Sequence, residues 1–495
     1  MPIMDEPTSL DPQIADSNSE KLVAANCYEG LVHIMADGTI GKGVAADWNI
    51  SDDGLTYTFK LRNNSHWAMF SGHKAVLGEN YEDTFDITVK AEDFKFGIER
   101  TLSEQTGSAD APLFSAVKSI STPDDFTIVF NLSYADDNFL YALTNPGAMP
   151  CDEEFFNLTN GKYGLDAKYL LCNGPFHVSK WTEKTSVKLA KNNEYNGESS
   201  VSPSSVTFYI NNDDSEVADK MNSVTYDVAF LSSSQFSSIE NKKDLNSVAV
   251  QNVTYSFIFN QNDNNYRNKN MRLAFCRSCD TSSLFDSQSD ISKADGIVPP
   301  SCKIGGEDYR NGNAAELLSY DETLAKKNFN DALLDLGSSS VETTILCTEQ
   351  YEPFVKQMVQ KLQKTLGVKF VSTVKVVSES DLEAAVNDGN YSVAFYPFKA
   401  KSSFAGEIIE GFDQNNIFGY ESDVLSQKIR NIKNNSGSLE GERSAVADAE
   451  NYLVSEAVIM PVFYENSYFV TSKKTSGIYF YSSADNVCFI NAKKS

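Results

Sequence analysis

The side chains able to do chemistry are numerous, and their spacing gives almost none of them a partner. His33, His66, His73 and His177 are the only histidines, and no two stand at the helical spacing that lets paired imidazoles hold zinc beside a carboxylate base. His66 and His73 flank Trp67 in a segment that reads as loop. The cysteines are Cys27, Cys151, Cys172, Cys276, Cys279, Cys302, Cys347 and Cys488. Only Cys276 and Cys279 have the close spacing of half a zinc site, with no second pair or histidine nearby. On a helix those two share a face and read as core thiols. Cys151 and Cys172 flank a short excursion and are expected to form a disulfide. There is no Gly-x-Ser-x-Gly elbow and no glycine-rich phosphate loop. Asp and Glu total 68 against 42 Lys and Arg, yet no carboxylate pair is singled out, so the acids read as solvated faces. No catalytic residue, metal ligand or cofactor is assigned, and the chemistry left is binding.

The bulk properties narrow what is bound. A net charge of −26 argues against nucleic acid, whose phosphates demand clustered Lys and Arg, and against adhesion to anionic membrane by charge alone. No apolar run approaches the roughly 20 residues that span a bilayer. Tyr and Phe, at 23 and 31, supply large apolar faces for cores and for a binding surface. A chain of 495 residues exceeds what one core organises, so two or three domains are expected.

The elements that must hold such a surface follow from periodicity. Residues 56–61 alternate, with Tyr57, Phe59 and Leu61 on one face and Thr56, Thr58 and Lys60 on the other, which predicts a half-buried strand. Phe126, Ile128, Phe130 and Leu132 repeat the pattern after a turn at Pro123-Asp124-Asp125. Between them, residues 91–102 read as a helix with Phe94, Phe96, Ile98 and Leu102 partly on one side. Farther on, 320–336 is an amphipathic helix with Leu324, Phe329, Ala332, Leu333 and Leu336 inward, Gly337 at its end and a capping box of Ser319 with Glu322. A second helix carries Val355, Met358, Val359, Leu362 and Leu366 and closes at Gly367. A strand at 368–371, a helical turn at 382–386 and a strand at 391–396 complete a strand–helix alternation that means an α/β lobe.

Several short blocks recur in a telling order: Leu10-Asp11-Pro12, Tyr28-Glu29-Gly30-Leu31, Asp52-Asp53-Gly54-Leu55-Thr56-Tyr57, Val89-Lys90-Ala91-Glu92-Asp93-Phe94, and Asn173-Gly174-Pro175-Phe176 with Trp181. In this order they resemble the family 5 extracellular solute-binding proteins, the dipeptide, oligopeptide and nickel receptors of ABC importers. The resemblance implies a two-lobed α/β fold of the periplasmic-binding-protein type (type II, cluster C) with an extra small domain. It places lobe I at residues 1–49, 173–253 and 461–495, the small domain at 50–172 and lobe II at 254–460. The segments Val253-Thr254-Tyr255-Ser256-Phe257-Ile258-Phe259-Asn260 and Ala457-Val458-Ile459-Met460-Pro461-Val462-Phe463-Tyr464 would be the outward and return crossings of a hinge. Arg272, in Met271-Arg272-Leu273-Ala274, is expected to be a structural salt-bridge partner.

The resemblance also implies the ligand and its contacts. A short peptide would be captured between the lobes by backbone pairing, with roomy side-chain pockets. Glu29, Gly30, Leu31, Val32 and His33 would border it on one lobe, and Asn260, Tyr396, Phe398, Lys401 and Phe404 on the other. Peptide-binding relatives place an aspartate for the ligand's ammonium near the position of Lys401. A lysine there would repel that charge. The cation would then be held by another carboxylate such as Glu407 or Asp413, or Lys401 or Lys399 would grip a ligand carboxylate, or the ligand would lack a free amine. An oligosaccharide, a metal chelate and a sensory role without transport remain alternatives, although Trp48, Trp67 and Trp181 offer few stacking platforms. The implied protein is a monomer working outside the cytoplasm with ABC permease subunits, tethered by a lipid anchor whose leader lies before Met1.

Overall fold

The computed structural model describes every residue except 36–38, 198–199, 212, 282–289, 400–403, 414–415 and 482–485. Its described residues fall into two compact units, Met1–Ala249 with Tyr468–Ser495, and Val250–Ser467. The chain passes between them twice, within strand Leu245–Phe259 and within strand Ile459–Ser472.

Unit 1 holds two four-stranded sheets. In the first, antiparallel throughout, Thr56–Leu61 pairs with Ala45–Ile50 on one side and Thr127–Leu132 on the other, with Val117–Asp124 outermost. Tyr57, Phe59 and Leu61 are buried, as the alternation predicts, and Phe59 meets Phe130 edge to face at 5.8 Å. Helix Ala91–Leu102 buries Phe94 and Ile98 and leaves Phe96 half-buried against Phe156. The second sheet runs Pro2–Ile3, Ser205–Ile210, Ser186–Lys191, Phe176–Thr182.

The blocks that carry the family resemblance are clamps of this unit. The Asp11 carboxylate takes two hydrogen bonds from the Arg100 guanidinium, which also lies 4.1 Å over the Phe156 ring. Burial lowers the guanidinium pKa, but the Asp11 ion pair outweighs it and keeps Arg100 charged. Asn173 clasps the Glu29 backbone from both sides, accepting from its N–H at 3.0 Å and donating to its carbonyl at 2.8 Å. Gly174 follows because its backbone runs against Tyr28: a Cβ there would lie 2.7 Å from the Tyr28 nitrogen. Trp181 Nε1 donates to Glu6 at 2.9 Å.

Unit 2 is an α/β layer structure. Strand Val341–Cys347 pairs in parallel with Phe370–Val376 and with Val393–Lys399, which is antiparallel to the outward strand Leu245–Phe259. The return strand lies next to the outward strand, and Ile291–Lys293 pairs with it. Helices Lys269–Ser278, Glu322–Leu336 and Glu352–Leu366 cover one face, burying Phe275, Phe329 and Met358 against Phe257, Phe259 and Phe395. Helices Ala405–Glu410, Asp423–Asn434 and Leu439–Ser455 contribute to the core on the other.

Four expectations change in detail. Asp321, not Ser319, caps helix Glu322–Leu336, its carboxylate accepting from Leu324 N at 2.9 Å. Glu322 is therefore the first helical residue and too early to close a capping box, and Leu324 is exposed. The strand expected at 368–371 runs Phe370–Val376, because Gly367 leaves the helix at φ 78° and Val368 is 96% exposed. Arg272 is buried but binds the carbonyls of Tyr266, Arg267, Glu456 and Ala457 instead of a carboxylate. All the cysteines are free, Cys151 included: its sulfur faces Arg100 at 3.5 Å, while the Cys172 thiol neighbours Cys27.

Candidate ligand-binding site

In open α/β sheets ligands collect outside the carboxyl ends of the parallel strands, where backbone groups and loop residues are free to face them. In unit 2 those ends are Cys347, Val376 and Lys399. The antiparallel register puts Val253 of the outward strand opposite Lys399, at the same edge.

The last strand brings two half-buried aromatics there. Tyr396 and Phe398 point to one face, with ring centroids 5.6 Å apart. Behind Phe398 stand Phe412 and Phe418, parallel and 4.5 Å apart, so that Phe398 packs on both at under 6 Å. This stack fixes the ring in place and leaves its outer part exposed. The register sets Thr254 opposite Phe398 and Ser256 opposite Tyr396. Both side chains are fully buried between the strands and the helices of that face. Phe404 is half-buried and bridges Lys303 in a parallel pairing. Lys401 lies outside the described residues.

The other face of the same edge carries a cluster for which sequence reasoning had no signal. Tyr255, Tyr351, Phe395 and Phe463 pack with centroids between 4.4 and 5.7 Å apart. Glu465, two residues beyond Phe463 and so on the same face of the return strand, caps the cluster. Its Oε1 accepts from the Tyr351 hydroxyl and from Gln350 Nε2 at 3.4 Å. Burial above all raises the carboxyl pKa, and the acids Glu379 and Asp290 add to the shift. The family block in the return strand stops at Tyr464, one residue short.

The remaining expected site residues are committed to the fold. The Asn260 amide donates at 2.8 Å to both Gly389 O and Tyr391 O and accepts from Asn262 N at 2.9 Å. It thus pins the start of strand Val393–Lys399. In unit 1, Glu29 is 8% exposed, ion-paired with Arg62 and bonded to the Tyr195 hydroxyl at 3.3 Å. Gly30, Leu31 and Val32 are buried, the carbonyls of Gly30 and Leu31 accepting from Val44 and Ala45. His33 is half-buried opposite Gly41 in the short pair Val32–Ile34 with Ile40–Lys42. Among the described residues no group of His, Cys, Asp and Glu is placed to hold a metal ion.

The chain is thus an α/β protein of two units joined by two strands, with a half-buried aromatic pair at the carboxyl edge of the unit 2 sheet. The chain belongs to the bacterial extracellular solute-binding proteins, family 5, whose family model matches residues 39–418. It is 24% identical to the dipeptide-binding protein DppE of Bacillus subtilis, over 96% of this chain and 88% of that one. It is 22% identical to the probable D,D-dipeptide-binding periplasmic protein DdpA of Escherichia coli, over 98% and 92%. Among solved structures, a dipeptide-binding protein from a Pseudoalteromonas species in complex with Met-Leu matches with a TM-score of 0.79 at 17% identity, covering 100% of this chain and 99% of that one. Peptide-bound OppA of Listeria monocytogenes matches at 0.76 and 21% identity, covering 100% and 98%. No helix among the described residues is long and apolar enough to cross a membrane.

Proposed function

We propose that this protein is the substrate-binding component of an ABC importer and that its cargo is a short peptide. The observation that carries the reading is the carboxyl edge of the unit 2 sheet. There the half-buried rings of Tyr396 and Phe398 share one face, with Phe398 held on Phe412 and Phe418. An extended peptide suits such an edge, since backbone hydrogen bonds supply affinity while aromatic walls accept varied side chains. Relatives named for dipeptides and oligopeptides, and a structural match holding Met-Leu, support the same cargo.

In this reading Tyr396, Phe398 and Phe404 form the wall. Asn260 positions the wall through the backbone it pins, and residues 29–33 offer a rigid segment of unit 1. Residues 50–172 act as a small accessory domain. The protein works as a monomer outside the cytoplasm, held to the membrane by a lipid anchor, hands its cargo to permease subunits and performs no catalysis.

Native mass spectrometry of the purified protein, followed by denaturation and sequencing of what is released, tests this. Released peptides, or peptide capture from a random library by stripped protein, are expected. Failure to retain any member of such a library refutes the peptide reading.

A further inference from the structure

We propose that Glu465, framed by Tyr255 and Tyr351, receives a primary ammonium of the bound peptide, either its amino terminus or a lysine side chain. The assignment rests on the peptide-binding reading and deepens it.

Glu465 is a half-buried carboxylate whose bonds are both to neutral donors, the Tyr351 hydroxyl and the Gln350 amide. Among the described residues it forms no ion pair, and its Oε2 accepts no hydrogen bond. That is a costly arrangement for a half-buried carboxylate, unless a cation arrives from outside. Glu379 and Asp290 act on it as like charges, so the local potential already favours a positive group. The rings of Tyr255 and Tyr351 pack 4.4 Å apart beside the carboxylate.

The geometry also selects the kind of cation. A guanidinium binds best through two parallel bonds to both carboxylate oxygens, and Oε1 is already occupied. A divalent metal ion wants several oxygen ligands, and no metal-holding group exists among the described residues. A compact ammonium needs one free oxygen, which is what Glu465 presents beside its two tyrosines.

The test uses three tetrapeptide libraries: free amino termini without lysine, N-acetylated with lysine, and N-acetylated without lysine. Peptides retained by wild-type protein and by Glu465→Gln are counted by mass spectrometry after gel filtration. At least one cation-bearing library should be retained by wild type roughly tenfold over the acetylated lysine-free one, as for a charge-assisted hydrogen bond. The library that shows the preference identifies the source of the ammonium. Glu465→Gln should lose that preference yet hold the acetylated lysine-free peptides within about twofold, since glutamine keeps an acceptor for Tyr351. Equal retention of all three libraries by wild type overturns the proposal whether or not the variant folds. A preference that survives in a folded Glu465→Gln overturns it too. Retention of no library at all brings down the peptide reading instead.

Discussion

Lowering the pH should weaken this protein through His73, by an amount that the structure sets. His73 is fully buried, its ring 4.2 Å from Phe70 and 5.4 Å from Phe155. Nε2 meets the Leu170 carbonyl at 3.1 Å, and Nδ1 has no partner. An N–H facing a carbonyl makes Nε2 the donor, so the ring is the neutral tautomer with a bare Nδ1. Burial lowers the pKa from 6.5 to about 4, with a smaller push from His177. The unfolded chain therefore takes up a proton near pH 6.5 while the folded one refuses it until about pH 4. Stability attributable to this residue is intact above pH 6.5 and falls as pH drops through that window. A gap of about 2.5 units at 1.36 kcal/mol each, less the half-protonation of the native state at the lower end, gives a loss of about 3 kcal/mol by pH 4. Buried carboxyls such as Asp136, pushed up to about 6, act in the opposite sense because the native state takes their proton first. The comparison must therefore be differential. His73→Gln retains a donor for Leu170 and removes the titration, while every carboxyl is common to both proteins. Urea unfolding at pH 7, 6, 5 and 4 should show the variant's disadvantage, caused by lost ring packing, shrinking steadily by about 3 kcal/mol. Parallel curves across that range would refute the argument, and a histidine buried without cost would have to be explained.

Phe398→Ala should weaken peptide binding by roughly 1–3 kcal/mol in calorimetric titration, as expected for an aromatic anchor held by a stack; unchanged affinity would place the cargo elsewhere. Glu450 is 1% exposed and accepts from Ile297 N, Val298 N, the Tyr309 hydroxyl and Arg310. Glu450→Ala should cost about 3–5 kcal/mol in urea unfolding because it strands a buried guanidinium, and a loss under 1 kcal/mol would contradict that. Thiol titration in denaturant without reductant should count all 8 cysteines as free. In native buffer only Cys488, the one not fully buried, should react; a count of two fewer in denaturant would reveal a disulfide.

Much of the architecture was legible in the sequence, because the periodicities that bury Tyr57, Phe59 and Leu61 or Val355, Met358 and Leu362 are written in consecutive residues. Caps and strand starts slipped by a residue or two: Ser319 and Asp321 are both good N-caps, and only the path of the chain decides between them. The disulfide expectation for Cys151 and Cys172 failed for a different reason. Proximity in sequence says nothing of which thiols meet, and Cys172 meets Cys27 across a contact that Asn173 and Gly174 impose. Tyr396 and Phe398 were readable as aromatics at a strand end. The Glu465 cluster was not, because Tyr255, Tyr351 and Glu465 come from three separate segments and only the sheet register aligns them.

The blocks that identify the family and the residues that would read a ligand are therefore different sets, and the physics says why. Asp11 with Arg100, Asn173 with the Glu29 backbone, and Gly174 against Tyr28 satisfy buried charges and backbone groups of the fold. Any member with the same chain path faces the same demands whatever its cargo, so these residues can hold steady while specificity varies. The carboxyl edge of unit 2 bears no such constraint. Phe398 needs only to rest on Phe412 and Phe418, and Glu465 only to sit within reach of Tyr351. If Glu465 takes the ammonium, as proposed, no carboxylate is needed at the end of strand Val393–Lys399.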